Sequence, residues 1–182
     1  SIDTFRSKVA KEAVNHGAEI INDISSGNLD QKMFETVSEL RVPYIMMHMQ
    51  GKPINMQINP VYKNLVVDII ENLSKKIFEA RKKGINDIIV DPGFGFGKTV
   101  NDNYVLLKNL SFFKELGCPI LVGISRKSMI YKVLNTDPQK SLNGTTCLNT
   151  ISLMNGANIL RVHDVRQAKE VIDLVESLNS RF

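Results

Sequence analysis

The stretch Asp91-Pro92-Gly93-Phe94-Gly95-Phe96-Gly97-Lys98 sets a carboxylate in front of a glycine-rich loop that carries two aromatic rings. Neither common nucleotide-binding loop fits it. A phosphate loop ending at Gly97-Lys98-Thr99 would need glycine where Pro92 stands, and a GxGxxG starting at Gly93 would need glycine where Lys98 stands. What remains is a loop able to bring its backbone close to a flat ligand and lay a ring on it. Asp91 is suited to accept two parallel hydrogen bonds from an aminopyrimidinone edge, as carboxylates do from guanidinium groups. The same residues also suit a helix-capping Asp followed by turn-forming glycines.

Two further segments carry charge where a ligand could use it. Ser125-Arg126-Lys127-Ser128 places two cations at the entrance of a helix, against the positive end of its dipole, which is unfavourable unless something anionic compensates. The alternative is Ser125 as a simple N-cap with solvated cations. Arg161-Val162-His163-Asp164 follows an apolar run, and period-two alternation puts Arg161 and His163 on one side, a grip for phosphate or pyrophosphate. The alternative there is a surface Arg, with Asp164 capping the next helix. Asn22 offers a donor and an acceptor to a heterocycle edge, or forms an Asx turn. His48, among methionines, reads first as a core residue. Met47 offers a polarizable surface to a flat ring.

These residues close short apolar runs: Ala18–Asp23, Pro43–His48, Asn86–Asp91, Pro119–Ser125 and Asn158–His163, with a stub at Ser1–Asp3. Between them the pattern predicts helices at about 5–16, 30–41, 62–83, 101–116, 138–155 and 165–178. In the third, Leu65, Ile69, Leu73 and Ile77 recur every four residues and Gly84 follows as a stop. Strand-helix alternation means an α/β protein with a parallel sheet. An open doubly wound sheet gathers ligands mainly at one switch point, whereas a barrel converges many strand ends on one site. Chemically equipped ends on all six runs favour a (β/α)8 TIM barrel. About six of its eight units are present, and the chain opens inside a strand, so about two N-terminal units are expected to be missing.

Composition narrows the class. The 182 residues suit one domain, 1–182, with 43% hydrophobic and 23% charged residues. No apolar run approaches a membrane span, and Ser1-Ile2-Asp3-Thr4 has no signal-peptide pattern. Two cysteines give neither a disulfide framework nor metal-ligand spacing, so a reducing cytoplasm is the expected compartment. A net charge of +4 with scattered cations and sparse aromatics gives no nucleic-acid footprint. The densest cluster, Arg81-Lys82-Lys83, ends a predicted helix, where cations offset the dipole.

Taken together, SIDT at 1–4, IINDI at 20–24, MMHMQG at 46–51, DPGFGFGK at 91–98, LVGISRKSMI at 121–130 and RVHDV at 161–165 resemble the dihydropteroate synthase family in order and spacing. The resemblance implies a (β/α)8 barrel that couples 6-hydroxymethyl-7,8-dihydropterin diphosphate with p-aminobenzoate, giving dihydropteroate and pyrophosphate in folate biosynthesis. Carried onto this sequence, Asp3, Asn22, Asp91 and Lys127 would bind the pterin, and Met47, Phe96 and Gly123 would line its pocket. Arg161 and His163 would hold the diphosphate, and Val162 between them would be among the substrate-binding residues. Ser128, with Lys127 and Phe96, would border the p-aminobenzoate site where sulfonamides compete. Lys127, Arg161 and His163 are the implied catalytic set. The resemblance also implies Mg²⁺, whose protein ligand would belong to N-terminal signatures not found here, and a homodimer of the complete protein through its late helices. A pterin-binding module without turnover is the alternative.

Overall fold

Short β-branched runs between glycine-terminated helices become parallel strands. The structure, a computed structural model, describes residues 1–51 and 60–179. Its strands are β1 (Ile2–Asp3), β2 (Ile21–Asp23), β3 (Tyr44–Met47), β4 (Ile88–Asp91), β5 (Leu121–Val122) and β6 (Ile159–Leu160). β1 to β4 pair in chain order, β5 pairs with β6, and a bridge between Val90 and Ile120 joins the two groups. Every pairing is parallel. Neighbours in the sheet are thus neighbours in sequence. A doubly wound sheet would reverse its order at a switch point, and this row never reverses. The fold is that of a (β/α)8 barrel, with six consecutive units in this chain.

The inner strands β2 and β3 are buried throughout, as is β5, because both faces of a parallel sheet are covered. β1 and β6, at the two ends of the row, are less buried. The strands are shorter than the apolar runs that predict them. Residues such as Ile120 and Ile124 are buried without belonging to a named strand, so hydrophobicity marks burial while the ladder sets strand length.

The helices are α1 (Ser7–Asn15), α2 (Met33–Leu40), α3 (Leu65–Lys82), α4 (Val100–Lys108), α5 (Ser128–Tyr131), α6 (Leu142–Met154) and α7 (Val165–Asn179). In α3, Leu65, Ile69, Leu73 and Ile77 are all buried, and the Asn64 side chain caps the start by accepting from the Val67 N–H. The helix expected over 101–116 divides at Asn109. Its side chain bonds back to the Val105 carbonyl, and a 3₁₀ segment, Leu110–Leu116, follows. The helix expected from 138 begins at Leu142, because Ser141 and Lys140 first form turns on Pro138 and Asp137. The Arg81-Lys82-Lys83 cluster serves its own surface: Arg81 donates to the Cys118 sulfur, Lys82 lies over Phe78 and Lys83 pairs with Glu35. Among the described residues no helix is long and apolar enough to cross a membrane.

Candidate functional site

The C-terminal end of β4 delivers Asp91 into the interior, with its side chain 1% exposed. One carboxylate oxygen accepts the Gly93 N–H at 2.8 Å and closes the turn into the glycine-rich loop. The other accepts Arg161 Nη2 at 2.8 Å. The turn expected at Asp91 is thus formed by one oxygen, while the other is engaged by Arg161. Arg161 crosses from the end of β6, and its Nη1 comes within 3.4 Å of Asn22 Oδ1 at β2. Gly123 makes that crossing possible, since a Cβ there would stand 2.6 Å from Arg161 Nη2. Its role in this geometry is clearance for a guanidinium.

The loop from Gly93 to Gly97 lies between two lysines. At Gly93, φ is +76° and a Cβ would meet the His48 carbonyl oxygen at 1.9 Å, so both conformation and space demand glycine. In front of the loop, Lys127 donates to the Phe94 carbonyl, and its ammonium lies 4.8 Å from the centre of the Phe96 ring. Burial pulls Lys127 down to about 8, with Asp91 opposing that and Arg161 adding to it. Behind the loop, Lys98 is buried and donates to the carbonyls of Gly93 and Phe96 and to His48 Nδ1. Burial pulls Lys98 down to about 7, partly offset by Asp91. It also drives His48 down to about 3, helped by the Lys98 charge, so the imidazole is neutral at pH 7. His48 is thus a buried acceptor for the loop, in line with the core reading.

Around β5, the four residues 125–128 turn in different directions. Arg126 has φ +56°, rare for a residue with a side chain, and points away from the loop. Its guanidinium donates to both oxygens of Asp164, at 2.9 and 2.7 Å, and to the carbonyls of Pro138 and Gln139. Asp164, just before α7, thus receives a guanidinium fork from Arg126. Ser125 is not the N-cap of α5, a position taken by Lys127, and its hydroxyl lies 2.9 Å from His163 Nδ1. Arg126 thus ties two strand ends together, while Lys127 faces Asp91.

Gly123, Ser125, Lys127, Arg161, Val162 and His163 line a cleft of about 170 Å³. β6 ends at Leu160, so strict alternation no longer governs 161–163, and Val162 lines the cleft with its neighbours. Met47 lies level with Asp91 in the β3–β4 register and is buried. Asp3 stands level with Asn22 and is exposed. Ser128 opens α5 and is not part of the cleft lining. Asp23, beside Asn22, is structural: it accepts from the Ser25 N–H and hydroxyl, the Gly27 N–H and the Tyr44 hydroxyl. Among larger hollows, two of about 480 and 440 Å³ lie at Ser38, Arg41 and Asp87 before β4, and between α3 and α4. Neither adjoins the Asp91–Arg161 pair, so size does not identify the site.

Sequence reasoning missed two features here. Lys98 carries no signal of burial, since it simply closes a loop. The Asp91–Arg161 pair joins residues 70 apart, and only the strand order suggests that they could meet. For Mg²⁺, no three His, Cys, Asp or Glu side chains among the described residues are grouped to hold a metal ion. Asp91 already carries Arg161, so these residues do not form a site for the ion.

A parallel barrel with a buried carboxylate, several cations and an aromatic loop at its strand ends defines the class. Residues 1–163 match the family described as pterin binding enzyme. The chain belongs to that family. Among its relatives, it is 42% identical to the dihydropteroate synthase of Haemophilus influenzae, over 94% of this chain and 63% of the relative. The crystal structure of Yersinia pestis dihydropteroate synthase with a sulfonamide drug complex superposes with a TM-score of 0.94 at 40% identity. It covers 97% of this chain and 65% of that one. The Thermus thermophilus enzyme in complex with 4-aminobenzoate gives 0.92 at 34% identity, over 97% and 69%. The chain spans 63% of the length of the first curated relatives it matches.

Proposed function

We propose that residues 1–182 form one pterin-binding domain of a dihydropteroate synthase. The reaction joins 6-hydroxymethyl-7,8-dihydropterin diphosphate to p-aminobenzoate and releases pyrophosphate. The observation that carries this reading is the buried Asp91 carboxylate bound to Arg161, with Lys127 and His163 beside the same cleft. Asp91 and Asn22, with Asp3 at the level of Asn22, hold the polar edge of the pterin. Met47 and Phe96 supply apolar surface to its rings. Arg161 and His163 receive the diphosphate, with Val162 lining the cleft between them and Gly123 as clearance for Arg161. Lys127 and Ser128 border the p-aminobenzoate side. A relative from Thermus thermophilus has been crystallised with 4-aminobenzoate, which supports that substrate class.

The chemistry asks for stabilised charge separation more than for proton transfer. The carbon–oxygen bond of the pterin methylene breaks, and its electron pair leaves with the diphosphate toward Arg161, His163 and Lys127. The arylamine lone pair then forms the new carbon–nitrogen bond, and the nitrogen sheds one proton. No covalent enzyme intermediate is required. Mg²⁺ is expected from the family resemblance but has no ligand set among the described residues. A homodimer through the late helices is favoured by exposed Met154, Leu174 and Leu178 on α6 and α7. The compartment is the cytoplasm, with no membrane or nucleic-acid partner.

Calorimetry of this chain with pterin diphosphate tests the reading, and an absence of heat at millimolar ligand refutes it. The second reading is a pterin-binding module without turnover. Pyrophosphate release on mixing both substrates separates the two.

A further inference from the structure

Lys98 is 3% exposed, and its ammonium hydrogen-bonds to three neutral acceptors: His48 Nδ1 at 3.1 Å, the Gly93 carbonyl at 3.0 Å and the Phe96 carbonyl at 3.1 Å. An ammonium has three donors, and here each has an acceptor. Burying a cation against neutral groups is unfavourable by itself, so the surroundings are organised around its retention. The acceptors come from the end of β3 and from two loop residues three apart. Lys98 draws these points together.

On the opposite side, Lys127 takes the carbonyl of Phe94 and lies over the ring of Phe96. The two lysines therefore grip the same four residues from back and front. Asn103 adds a side contact by accepting the Gly95 N–H at 2.7 Å, and the Thr99–Asp102 capping box anchors the backbone just after Lys98. Releasing the rear grip would free the Gly93 and Phe96 carbonyls to turn, and the Phe96 ring would leave its place under Lys127.

We propose that Lys98 is a positioning residue of the pterin pocket, holding the 93–96 loop so that Phe96 and the Phe94 carbonyl meet Lys127. The inference rests on reading this cleft as a pterin site. It acts through the loop and touches no substrate.

Nuclear magnetic resonance of this chain with Lys98→Met tests the idea. In the unaltered chain, the Lys127 side-chain protons carry an upfield ring-current shift from Phe96. In Lys98→Met that shift falls by at least about half, and exchange of the Gly95 and Phe96 amides speeds up about tenfold, as expected when buried hydrogen bonds are lost. Amides of β2 and β3 keep their protection. Affinity for 6-hydroxymethyl-7,8-dihydropterin diphosphate weakens about tenfold as well.

An unchanged Lys127 shift in the folded variant overturns the proposal. So does faster exchange spread equally through β2, β3 and the loop, which would mark a general loss of stability. If Lys98→Met does not fold, Lys98→Arg replaces it and should keep the Lys127 shift, whose loss in a folded Arg variant also overturns the proposal. Failure of the unaltered chain to bind the pterin refutes the functional reading alone, since the resonance measurements stand without ligand. Pterin affinity unchanged in Lys98→Met, with the loop loosened, would overturn the loop's service to the pocket.

Discussion

Replacing Gly123 with alanine adds one methyl group where the Arg161 guanidinium crosses the barrel. The φ of Gly123 is not in the left-handed region, so the backbone accepts alanine and the consequence falls on Arg161. The new carbon would lie 2.6 Å from Nη2, against an ordinary contact of 3.4 Å or more, so the guanidinium must retreat by about 0.8 Å. A retreat of that size stretches its 2.8 Å bond to Asp91 beyond hydrogen-bond range. A hydrogen bond to a charged group contributes roughly 1.5–3 kcal/mol net. Arg161 is 39% exposed and water replaces part of the interaction, so the expected loss is about 1–2 kcal/mol. In a chain of this size that lowers the melting temperature by roughly 2–8 °C. Thermal unfolding followed by circular dichroism measures it, and a pyrophosphate titration should weaken in parallel. In an Arg161→Met background the same alanine should cost almost nothing. An equal loss in both backgrounds, or none in either, would refute the reasoning.

Three other outcomes are expected. Asp23→Ala removes an acceptor from two N–H groups and two hydroxyls, and should cost about 3 kcal/mol or more in urea unfolding. Gly93→Ala forces a carbon against the His48 carbonyl at φ +76°, and should cost more than about 3 kcal/mol or leave no soluble protein on expression. For pH, His48 is held near 3 by burial and the Lys98 charge, while an unfolded histidine titrates at 6.5. The unfolded chain therefore binds the extra proton between these values, and stability falls as pH drops through the window, by up to about 4–5 kcal/mol. Unfolding curves should show the loss, and His48→Gln, which keeps an acceptor for Lys98, should flatten it. Lys98 has the same sign higher up. Its folded value near 7 lies below the ordinary 10.5, so its contribution makes stability rise with pH between them.

The sequence by itself determined the alternation of elements, the barrel order and the residues at the strand ends. Periods of two and nearly four, and the glycines at 17, 84 and 117 that follow helical runs, are local properties that survive without knowledge of neighbours. Leu65, Ile69, Leu73 and Ile77 mark the buried face of α3 in the sequence and occupy it in the structure. Lys127, Arg161 and His163 stood out in the sequence by charge at strand ends, whereas Gly123 and Val162 came only from the family resemblance; all five line one cleft. Which group meets which was not. Residues 125 to 128 read as two cations at one helix entrance, yet the left-handed turn at Arg126 sends its side chain to Asp164 and leaves Lys127 facing the loop. Lys98 closes a glycine loop in sequence, and only the approach of β3 turns it inward to His48. Asp91 and Arg161 are 70 residues apart, and the absent side chain of Gly123 lets them touch. Backbone direction in a loop, and contact across strands, are decided by packing between elements, so they belong to the tertiary structure alone.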